Sequence, residues 1–522
     1  MATDGLTLRP EASAVIAFVE LSSSLGWTVV TDSDAQISGI TSSSHRVRPG
    51  DVFMALPGEN FHGAEFVDDA LARGAVAVVT DEATAHRLRN KIAVPLAQSE
   101  RLRVDLGRAA SLIYGSAPSE VRTYGVTGTN GKTSVVYILM ALLGHLGKRT
   151  GMSSTSERVV AGRAMASGLT TPEADELHGF LGVLREASVG DAVIEVSAHA
   201  VTRERIAGLV FDVVSFTNLS QDHLDDYADM DRYFAAKALL FAPERATHGV
   251  VCVDDLWGRR LAAEASIPVT TVGSEFLGSA VSADWRVSVT GITQGSTSFE
   301  ILGPSAERLV GTVPIVGDFS ATNVAVAVAM LSVVGTSVDD IQAALGDPPR
   351  IDVYVPGRTE IVSGEHGPTF YVDYGHTPEA FARTLAALRR VTAGQLVMVF
   401  GADGDRDASK RADMGRVAAT GADVVIVTDF HPRTENPDSI RSALMEGAAA
   451  AGSAASLHNI ADPRAAVRMA ISLAHEGDTI LYAGPGHETY HEVAGVKHPY
   501  DARADVRHAL MDAGWPPREV VS

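Results

Sequence analysis

The chain has 522 residues, of which 46% are apolar and 20% charged, a composition typical of a folded protein with about three domains rather than one core. Its formal net charge of −21 disfavours nucleic acid and anionic membranes as general partners, because like charges repel. The single cysteine, Cys252, excludes an internal disulfide and fits a reducing compartment.

Residues 1 to about 120 predict a small α/β domain. Met1 to Pro10 lack the basic and apolar segments of a signal peptide, and no apolar stretch of the chain approaches the roughly 20 residues of a membrane-spanning helix. Two apolar runs of strand length, Gly50 to Leu56 and Ala75 to Asp81, flank a segment of helical periodicity, Ala64 to Arg73. Ser116 to Ser119 reads Ser-Ala-Pro-Ser, which is typical of a linker.

The central part, from about 121 to 350, opens with a glycine-rich loop. This loop, Gly128 to Thr133, reads GTNGKT between a strand-like run at Val121 to Val126 and helical spacing at Ser134 to Leu146. Strand, glycine turn and helix together aim backbone N–H groups at a phosphate. Lys132 would reach the outer phosphates of a nucleotide, and the Thr133 hydroxyl would bind Mg²⁺.

Polar side chains follow the next two predicted strands of the central part. Asp191 to Ser197 and Phe211 to Leu219 are apolar nearly throughout, as expected for strands covered on both faces. Glu195 ends the first strand, and Asp222 and His223 follow the second. Ligands collect at the carboxyl ends of parallel strands, and Mg²⁺ prefers oxygen ligands, so these three residues are candidates for a magnesium site.

The hydrophobic pattern changes in the rest of the central part. Ile267 to Ile315 contains short alternating runs that predict an antiparallel patch, and Gly317 to Leu331 returns to helical spacing. Lys237 lies in an apolar helical run, from which a lysine without a special role would extend to solvent. The sequence shows no Ser-His-Asp elbow, no Cys-His pair and no zinc-like spacing, which favours a reaction in which ATP activates the substrate.

The last part, about 351 to 522, predicts a second doubly wound sheet. Its predicted strands are Thr369 to Tyr374, Gln395 to Ala402, Ala422 to Asp429 and Asp478 to Gly484, and its predicted helices run near Glu379 to Arg390, Arg411 to Thr420, Pro437 to Ala450 and Pro463 to His475. The residues that follow these strands include Asp373, His376, Asp403, Arg406, His431, Arg433, His487 and Glu488. Arginines in such loops suit paired hydrogen bonds to a carboxylate.

Together these motifs resemble the Mur ligase family, and within it the MurE type, which adds a diamino acid to UDP-N-acetylmuramoyl-L-alanyl-D-glutamate. The matching segments follow the family's order along nearly the whole chain: Thr41 to Ser44, Val47 to Asp51, Gly128 to Thr133, Thr170 to Glu173, Glu195 to Ala200, Phe216 to Asp225, Ala235 to Phe241, Val355 to Glu360, Asp373 to Ala380, Phe400 to Asp407 and Ala483 to Tyr490. So many segments in one order are highly specific. The resemblance implies three α/β domains that bind the UDP of the substrate (1–120), ATP (121–350) and the incoming amino acid (351–522).

The resemblance also implies a site residue by residue. ATP would be bound by Gly128, Thr129, Asn130, Gly131, Lys132, Thr133, Asn323, Arg358, Asp373 and His376. Mg²⁺ would be held by Thr133, Glu195, His223 and Lys237, the last as the carboxylated lysine (a carbamate) of the family, and Lys132, Lys237, Glu195 and His223 would be catalytic. The UDP-muramoyl-dipeptide would contact Ser44, Thr170, Thr171, Ser197 and Arg205, and the amino acid would contact Arg406, His431, Arg433, Gly484 and Glu488.

The reaction so implied has two steps. The γ-carboxylate of D-glutamate would attack the γ-phosphate of ATP, and the amine would then capture the acyl phosphate and release phosphate. Domain closure would exclude water from the intermediate, so we expect a hinge near residue 350. The family implies a cytoplasmic enzyme of peptidoglycan synthesis and cell-wall biogenesis with small-molecule substrates and no nucleic-acid or membrane partner, and we expect a monomer.

Four departures from the family pattern bear on the substrates. Ser43-Ser44-His45 replaces Asp-Ser-Arg, Arg203 replaces a glutamine, Pro485 replaces a lysine, and Phe430-His431-Pro432-Arg433 replaces the Asp-Asn-Pro-Arg linked to meso-diaminopimelate. The arginine that would pair with a second carboxylate is kept, whereas the two residues before the proline differ in volume and hydrogen bonding. We therefore expect L-lysine or L-ornithine ahead of meso-diaminopimelate, which stays the alternative.

Two other functions use a similar phosphate loop. A folylpolyglutamate synthetase-like ligase shares the loop and the last domain, but such proteins begin close to the loop, which here follows about 120 residues. A P-loop ATPase switch would not need the residue clusters around Arg406 and Glu488.

Overall fold

The structure is a computed structural model that describes residues 8–31, 34–58, 61–117, 120–160, 162–277 and 282–517. Met1 to Thr7 at the N-terminus, and Pro118 and Ser119 of the predicted linker, lie outside the described residues. Within the described ranges, every helix is too short or too polar to cross a membrane.

The first part of the chain is an α/β unit around a five-stranded sheet, counted over its described residues. Its elements are β1 (Ile16–Ala17), α1 (Phe18–Leu25), β2 (Thr28–Thr31), β3 (Gln36–Ile37), β4 (Gly39–Thr41), β5 (Asp51–Met54), α2 (Val67–Ala72), β6 (Ala77–Thr80), α3 (Glu82–Leu88), β7 (Leu96–Gln98) and α4 (Leu102–Tyr114), with 3-10 turns at Ser44–Arg46 and Gly63–Phe66. The strand order is β2-β7-β6-β5-β4, and only the β2–β7 pair is antiparallel. The two predicted strands are confirmed as β5 and β6, and the predicted helix is a 3-10 turn followed by α2.

The central part is built on the strand that leads into the glycine-rich loop. Its elements are β8 (Arg122–Thr127), α5 (Lys132–His145), β9 (Thr150–Ser153), β10 (Glu157–Val160), β11 (Arg163–Ala166), α6 (Ala174–Glu186), β12 (Asp191–Glu195), α7 (Ala198–Thr202), β13 (Val213–Phe216), α8 (Leu224–Tyr227), α9 (Met230–Ala238), β14 (Gly249–Cys252), α10 (Leu256–Glu264), β15 (Val269–Ser274), β16 (Trp285–Thr293), β17 (Ser296–Leu302), β18 (Arg308–Val313), α11 (Asp318–Val333) and α12 (Val338–Ala344), with 3-10 turns at Leu239–Phe241 and Glu275–Leu277.

In the described residues the central strands form one eleven-stranded sheet with β8 in its interior. The order is β11-β10-β9-β12-β8-β13-β14-β15-β16-β17-β18, parallel from β9 to β16 and antiparallel at both ends. The predicted antiparallel patch is confirmed as β16 to β18, an extension of the same sheet. Glu195 pairs with Val126, and Phe216 pairs with Thr127, so β8, β12 and β13 end at one level. The polar residues that follow these strands therefore meet at the edge where ligands of parallel sheets bind.

Helix α11 has apolar residues on all sides, as expected for a helix that is surrounded by other parts of the protein. It packs against α5 and against β14 to β17, and its residues Val324, Val326 and Val328 are fully buried. Asn323 on this helix approaches the glycine-rich loop, since a Cβ added to Gly131 would lie 2.7 Å from Asn323 Oδ1. The helix therefore fixes a polar amide beside the loop from within the core.

The last part forms a six-stranded sheet in the described residues. Its elements are β19 (Glu360–Ile361), β20 (Thr369–Asp373), α13 (Pro378–Arg389), β21 (Leu396–Phe400), α14 (Arg411–Gly421), β22 (Val424–Val427), α15 (Pro437–Ala450), β23 (Ser456–Asn459), α16 (Pro463–Leu473), β24 (Thr479–Ala483), β25 (Tyr490–Val493), β26 (Val496–Pro499) and α17 (Ala502–Asp512), with a 3-10 turn at Ala408–Lys410. The order is β19-β20-β24-β21-β22-β23, parallel except at β19, which confirms the predicted second doubly wound sheet. β25 and β26 form a separate hairpin beside it.

Candidate active site

A cavity of about 340 Å³ lies where the glycine-rich loop meets the loops of the last sheet. Its wall includes eleven of the residues predicted to bind ATP or the metal: Thr129, Asn130, Gly131, Lys132, Thr133, Glu195, His223, Asn323, Arg358, Asp373 and His376. The wall also includes Thr170 and Ser197 from the central part and Arg406 and Arg433 from the last part. Residues predicted to bind nucleotide, dipeptide and amino acid thus border one space.

The glycine-rich loop requires its two glycines. Gly128 has φ +147° and Gly131 has φ +87°, conformations that side-chain-bearing residues rarely adopt. A Cβ at Gly128 would also lie 1.9 Å from Thr217 Oγ1. The loop is held by the neighbouring strand end, where the Asn130 N–H donates to Asn218 Oδ1 at 2.9 Å and the Thr217 hydroxyl donates to the Asn130 carbonyl at 2.7 Å. The backbone is therefore fixed before any ligand binds.

Two lysines donate to carbonyls of this loop. Lys132 Nζ donates to the Thr129 carbonyl at 2.9 Å and lies 4.0 Å from Glu195 Oε1. Lys237 Nζ donates to the Gly128 carbonyl at 2.7 Å and sits 4.6 Å from the centre of the Tyr233 ring. Lys237 is 1% exposed, and burial, with the nearby charge of Lys132, lowers the pKa of its amine well below the usual value. The predicted helix around Lys237 therefore turns this lysine inward rather than to solvent.

Glu195 lies at the centre of the predicted metal site. Its Oε2 accepts hydrogen bonds from the Thr133 hydroxyl at 3.1 Å and from the Thr155 N–H at 3.0 Å. Arg358 from the last part donates to the same Thr133 hydroxyl at 3.0 Å and stacks on the Tyr374 ring at 4.2 Å. These contacts join the phosphate loop, β12 and the last part at one hydroxyl group.

His223 lines the same cavity and has its backbone in the left-handed region, at φ +55°. Burial lowers the pKa of His223 to about 4, so its imidazole is neutral near pH 7 and has a nitrogen lone pair for a metal ion. His223 shares the cavity wall with Thr133 and Glu195, while its closest potential metal ligands are His199 and Asp226, whose ligand atoms lie within 4.8 Å of it and of each other.

The predicted dipeptide residues fall into two groups. Thr171 Oγ1 donates to the Glu195 carbonyl at 2.8 Å and accepts from the Ser197 N–H at 3.1 Å, so these residues brace the end of β12. Arg205 Nε lies 2.9 Å from Glu173 Oε1, and Thr170 accepts from the Thr155 hydroxyl at 3.0 Å. Ser44 lies apart from them, buried in a 3-10 turn that follows β4 of the first sheet.

The predicted amino-acid residues also divide. Arg433 and Arg406 line the cavity, where Arg433 Nη2 donates to Asp403 Oδ1 at 3.3 Å and Arg406 Nη1 lies 3.8 Å from Asp225 Oδ2. His431 and Glu488 lie behind this wall, with His431 only 3% exposed. The predicted Gly484 follows β24 with φ +115° and faces the Phe430 ring.

The two ring nitrogens of His431 are both used by the protein. Its Nδ1 accepts from the Glu492 N–H at 2.9 Å, so the proton lies on Nε2, which donates to Glu488 Oε2 at 2.6 Å. The backbone of Arg433 pairs with the same hairpin, its N–H donating to the Glu492 carbonyl at 3.1 Å. His431 therefore ties the hairpin β25–β26 to the loop that carries Arg433.

Asp373 and His376 shape the loop after β20. Asp373 accepts from the N–H groups of Thr359 and Gly375, both at 2.8 Å, and His376 Nδ1 donates to the Tyr374 carbonyl at 2.9 Å. Asp373 therefore connects the turn that carries Arg358 to the last sheet.

Sequence reasoning missed several residues of the cavity wall, among them Lys410, Thr155 and Cys252. Lys410 and Thr155 belong to no pattern that singles them out, and Cys252 reads as an ordinary strand residue. Lys410 is only 6% exposed, and a lysine so buried is rare without a partner. Burial raises the pKa of the Cys252 thiol well above its usual value.

Comparisons with known proteins agree along the chain. Residues 36–113 match the Mur ligase family catalytic domain, residues 126–331 the Mur ligase middle domain, and residues 357–486 the Mur ligase glutamate ligase domain. The chain is 51% identical to the UDP-N-acetylmuramyl-tripeptide synthetase of Leifsonia xyli, with 97% of this chain and 98% of that protein covered. It is 38% identical to the UDP-N-acetylmuramoyl-L-alanyl-D-glutamate–2,6-diaminopimelate ligase of Streptomyces coelicolor, with 96% and 98% covered.

The fold agrees as well. A solved structure of a UDP-N-acetylmuramoyl-L-alanyl-D-glutamate–2,6-diaminopimelate ligase matches with a TM-score of 0.63 at 26% identity, over 96% of this chain and 100% of that chain. Three family domains in order and a relative above half identity leave one conclusion. The chain belongs to the Mur ligase family and is an ATP-dependent ligase.

Proposed function

We propose that this ligase adds a diamino acid to the D-glutamate of UDP-N-acetylmuramoyl-L-alanyl-D-glutamate in peptidoglycan precursor synthesis, with conversion of ATP to ADP and phosphate. The observation that carries the proposal is the single cavity that Lys132 shares with Arg406 and Arg433. A carboxylate activated beside Lys132 would face an amine held by the loops after β21 and β22. The names of the relatives from Leifsonia xyli and Streptomyces coelicolor support the same reaction.

Three domains would divide the work, with the UDP group bound by residues 1–120, ATP by 121–350 and the amino acid by 351–522. Ser44 would contact the uridine end, and Thr170, Thr171, Ser197 and Arg205 would hold the dipeptide with its carboxylate toward the phosphate loop. A hinge near residue 350 would let the last domain close over the cavity, and the enzyme would act as a monomer in the cytoplasm.

The charges of the cavity wall favour Mg²⁺ as a companion of ATP. In the described residues the wall has nine Asp and Glu side chains and six Lys and Arg side chains. An anionic nucleotide would be repelled there without an added cation, and the oxygens of Thr133 and Glu195 suit Mg²⁺. The residues thus fit the metal, which Thr133, Glu195, His223 and the carbamate form of Lys237 would hold. Once bound, Mg²⁺ would neutralise charge on the phosphoryl oxygens.

The chain's own residues would stabilise the transferring phosphoryl group. The γ-carboxylate oxygen of D-glutamate bonds to the γ-phosphorus of ATP while the bond to the bridging oxygen of ADP breaks. Lys132, the loop N–H groups and Arg358 would stabilise the charge that grows on the phosphoryl oxygens. The amine nitrogen would then attack the acyl carbon, phosphate would leave, and the nitrogen would lose a proton. Asn323, Asp373 and His376 would position the nucleotide.

For the amino acid, we propose L-lysine or L-ornithine. The Arg433 guanidinium is already paired with Asp403, and the Asp403 carboxylate at the cavity wall offers an acceptor that suits a terminal ammonium. Phe430 and His431 occupy the places where a diaminopimelate-specific pocket has small acidic and amide side chains. The second candidate is meso-diaminopimelate, which is favoured by the Arg433 guanidinium at the cavity wall and by the names of several relatives.

A ligation assay tests the proposal. Purified protein would be given ATP, Mg²⁺ and the UDP-muramoyl-dipeptide with L-lysine, L-ornithine or meso-diaminopimelate at matched concentration, and the products would be weighed by mass spectrometry. We expect phosphate release only when dipeptide and amino acid are both present. Lys132→Ala should abolish product, whereas Lys91→Ala, a change of an exposed lysine, should leave the rate unchanged.

Each other outcome rejects one part of the proposal. A clear preference for meso-diaminopimelate would reject the amino-acid assignment alone. Phosphate release with neither substrate would indicate an ATPase switch. Product from a folate and glutamate would indicate a folylpolyglutamate synthetase-like ligase, which the match of residues 36–113 to a Mur ligase domain disfavours.

A further inference from the structure

Lys410 forms a buried ion pair between two sheets. It ends the 3-10 turn Ala408–Lys410 between β21 and α14 of the last sheet and is 6% exposed. Its Nζ donates to Asp222 Oδ1 at 3.1 Å, and Asp222 lies in the loop after β13 of the central sheet and is 7% exposed. The two residues are 188 positions apart and are brought together only by the contact of the two sheets.

Neighbouring contacts dock the same two segments. Gln221 Nε2 donates to Ser409 Oγ at 2.9 Å and to Asp407 Oδ2 at 3.4 Å, so two residues of the segment that leads to Lys410 contact the residue before Asp222. The other carboxylate oxygen of Asp222 lies 3.7 Å from His376 Nε2 of the loop after β20. Lys410 and Asp222 both line the cavity beside Lys132. The ion pair is therefore part of the wall that faces the phosphate loop.

The burial of the pair makes it sensitive to separation of the sheets. An isolated buried charge is costly, so neither Lys410 nor Asp222 is stable in this wall without the other. When the sheets move apart both groups become hydrated and the attraction weakens. The pair therefore favours the arrangement in which the two sheets are in contact.

We propose that Lys410 is a positioning residue that holds the cavity closed through Asp222. The inference rests on the proposed function, because closure would keep water away from the acyl phosphate until the amine arrives. The role differs from phosphate binding by Lys410 itself, since Lys410 Nζ is already bonded to a carboxylate. Loss of the pair would slow ligation and allow water to take the place of the amine, so that ATP is consumed without product.

The test is a double-mutant cycle with Lys410→Met, Asp222→Asn and both changes together. Methionine keeps the length of the lysine side chain and removes its charge. We expect each single change to lower kcat/KM at least about tenfold, and the double variant to be no slower than the slower single variant. Phosphate released per ligated product should rise above one in Lys410→Met. Lys91→Met, which removes an exposed charge, should keep the wild-type ratio.

A second measurement does not depend on ligation. Small-angle X-ray scattering with a non-hydrolysable ATP analogue should give a larger radius of gyration for Lys410→Met than for wild type, with equal secondary structure by circular dichroism. Single effects that multiply in the double variant, or a Lys410→Met enzyme with wild-type compaction and coupling, would overturn the inference. Wild-type protein that compacts normally but forms no tripeptide product would instead reject the proposed function.

Discussion

At the scale of single residues, His431 shapes the candidate amino-acid pocket although it does not line the cavity. It is nearly fully buried, and its two nitrogens bond Glu488 and the Glu492 N–H. Arg433, two residues further on, has its backbone in the left-handed region, at φ +52°, and is held there by the hairpin. We therefore attribute to His431 the orientation of Arg433 in this chain.

Replacing His431 with asparagine should weaken amino-acid binding. Asparagine is too short to bond both Glu488 and the hairpin, so the loop of Arg433 would loosen. We expect His431→Asn to raise the KM for the amino acid about tenfold and to leave the KM for ATP within about twofold. The control is His458→Asn in the edge strand β23, a residue that does not line the cavity. Equal effects on both KM values would contradict the orienting role.

The residues that could be predicted are those that stand in local motifs. Lys132 and Thr133 belong to a glycine-rich loop, and Glu195 and His223 lie at or after the ends of apolar strands. A short stretch of sequence is therefore enough to identify each of them. Lys410 could not be predicted, because its partner Asp222 is distant in sequence and only the packing of two sheets makes the lysine buried.

At the scale of elements, the turn Val355 to Thr359 joins the last sheet to the phosphate loop. Gly357 has φ +62°, and a Cβ there would lie 2.1 Å from the carbonyl carbon of Gly486. The next residue, Arg358, reaches the Thr133 hydroxyl. A shift of this turn would therefore carry the guanidinium away from the cavity.

Gly357→Ala should lower activity through that shift. The matched control is Gly147→Ala, because Gly147 has a similar φ of +71° but nothing within 4 Å of an added Cβ. Both variants should lose about 1–2 kcal/mol from the left-handed backbone, while only Gly357→Ala should also lose about tenfold in kcat. Chemical denaturation and the ligation assay measure the two effects. An equal loss of kcat in both variants would show that backbone strain, not the contact with Gly486, matters.

Helix α6 carries a buried histidine that predicts a pH dependence of stability. His178 accepts from the Ser116 hydroxyl at 2.7 Å and donates from Nε2 to the Ala207 carbonyl at 2.8 Å. Burial lowers its pKa from 6.5 to about 4. Between pH 6.5 and pH 4 this imidazole is mostly protonated in the unfolded chain and mostly neutral in the folded protein. The free energy of unfolding therefore falls as the pH drops.

The expected loss from His178 between pH 7 and pH 4 is about 3 kcal/mol. Because other buried histidines titrate in the same range, the informative quantity is the difference between wild type and His178→Gln, in which glutamine can keep both hydrogen bonds. Urea denaturation at several pH values should give a less steep decline for the variant. Parallel declines would show that His178 contributes nothing to it.

Elements were predictable where burial left a continuous apolar run. β12, β21, β22 and β24 are buried throughout and were all found in the sequence. β11 and β26 were missed, since their residues are mostly exposed and show no apolar alternation. Their pairing partners, β10 and β25, stabilise them through backbone hydrogen bonds that leave no pattern in the side chains.

At the scale of the whole molecule, acidic groups outnumber basic groups both in the chain and in the cavity wall. The chain carries a net charge of −21, and the described cavity wall has more carboxylates than cationic groups. An ATP molecule without a metal therefore approaches a repulsive field.

Removal of Mg²⁺ should consequently weaken ATP binding itself and not only the reaction. We expect the Kd of ATP, measured by calorimetry, to rise at least about a hundredfold when EDTA replaces Mg²⁺. Circular dichroism without ATP should be the same in both buffers, which separates binding from folding. Metal-independent binding would contradict the electrostatic argument.

The order of three α/β units could be predicted from the alternation of apolar runs and helical segments. Their mutual orientation could not, because it depends on side chains such as Tyr371, whose hydroxyl donates to the Gln294 carbonyl of the β16–β17 turn at 2.6 Å. Contacts of this kind join segments far apart in the chain and have no local signature.

The position of Cys252 makes the protein convenient for spectroscopy. It ends β14, is 3% exposed and has a thiol that burial keeps protonated, a state that reacts slowly with maleimides. Since the sequence has no second cysteine, pairs of cysteines introduced on the surfaces of two sheets would take up fluorescent dyes selectively. Distances between the sheets could then be followed in single molecules during turnover, with the native residue left in place.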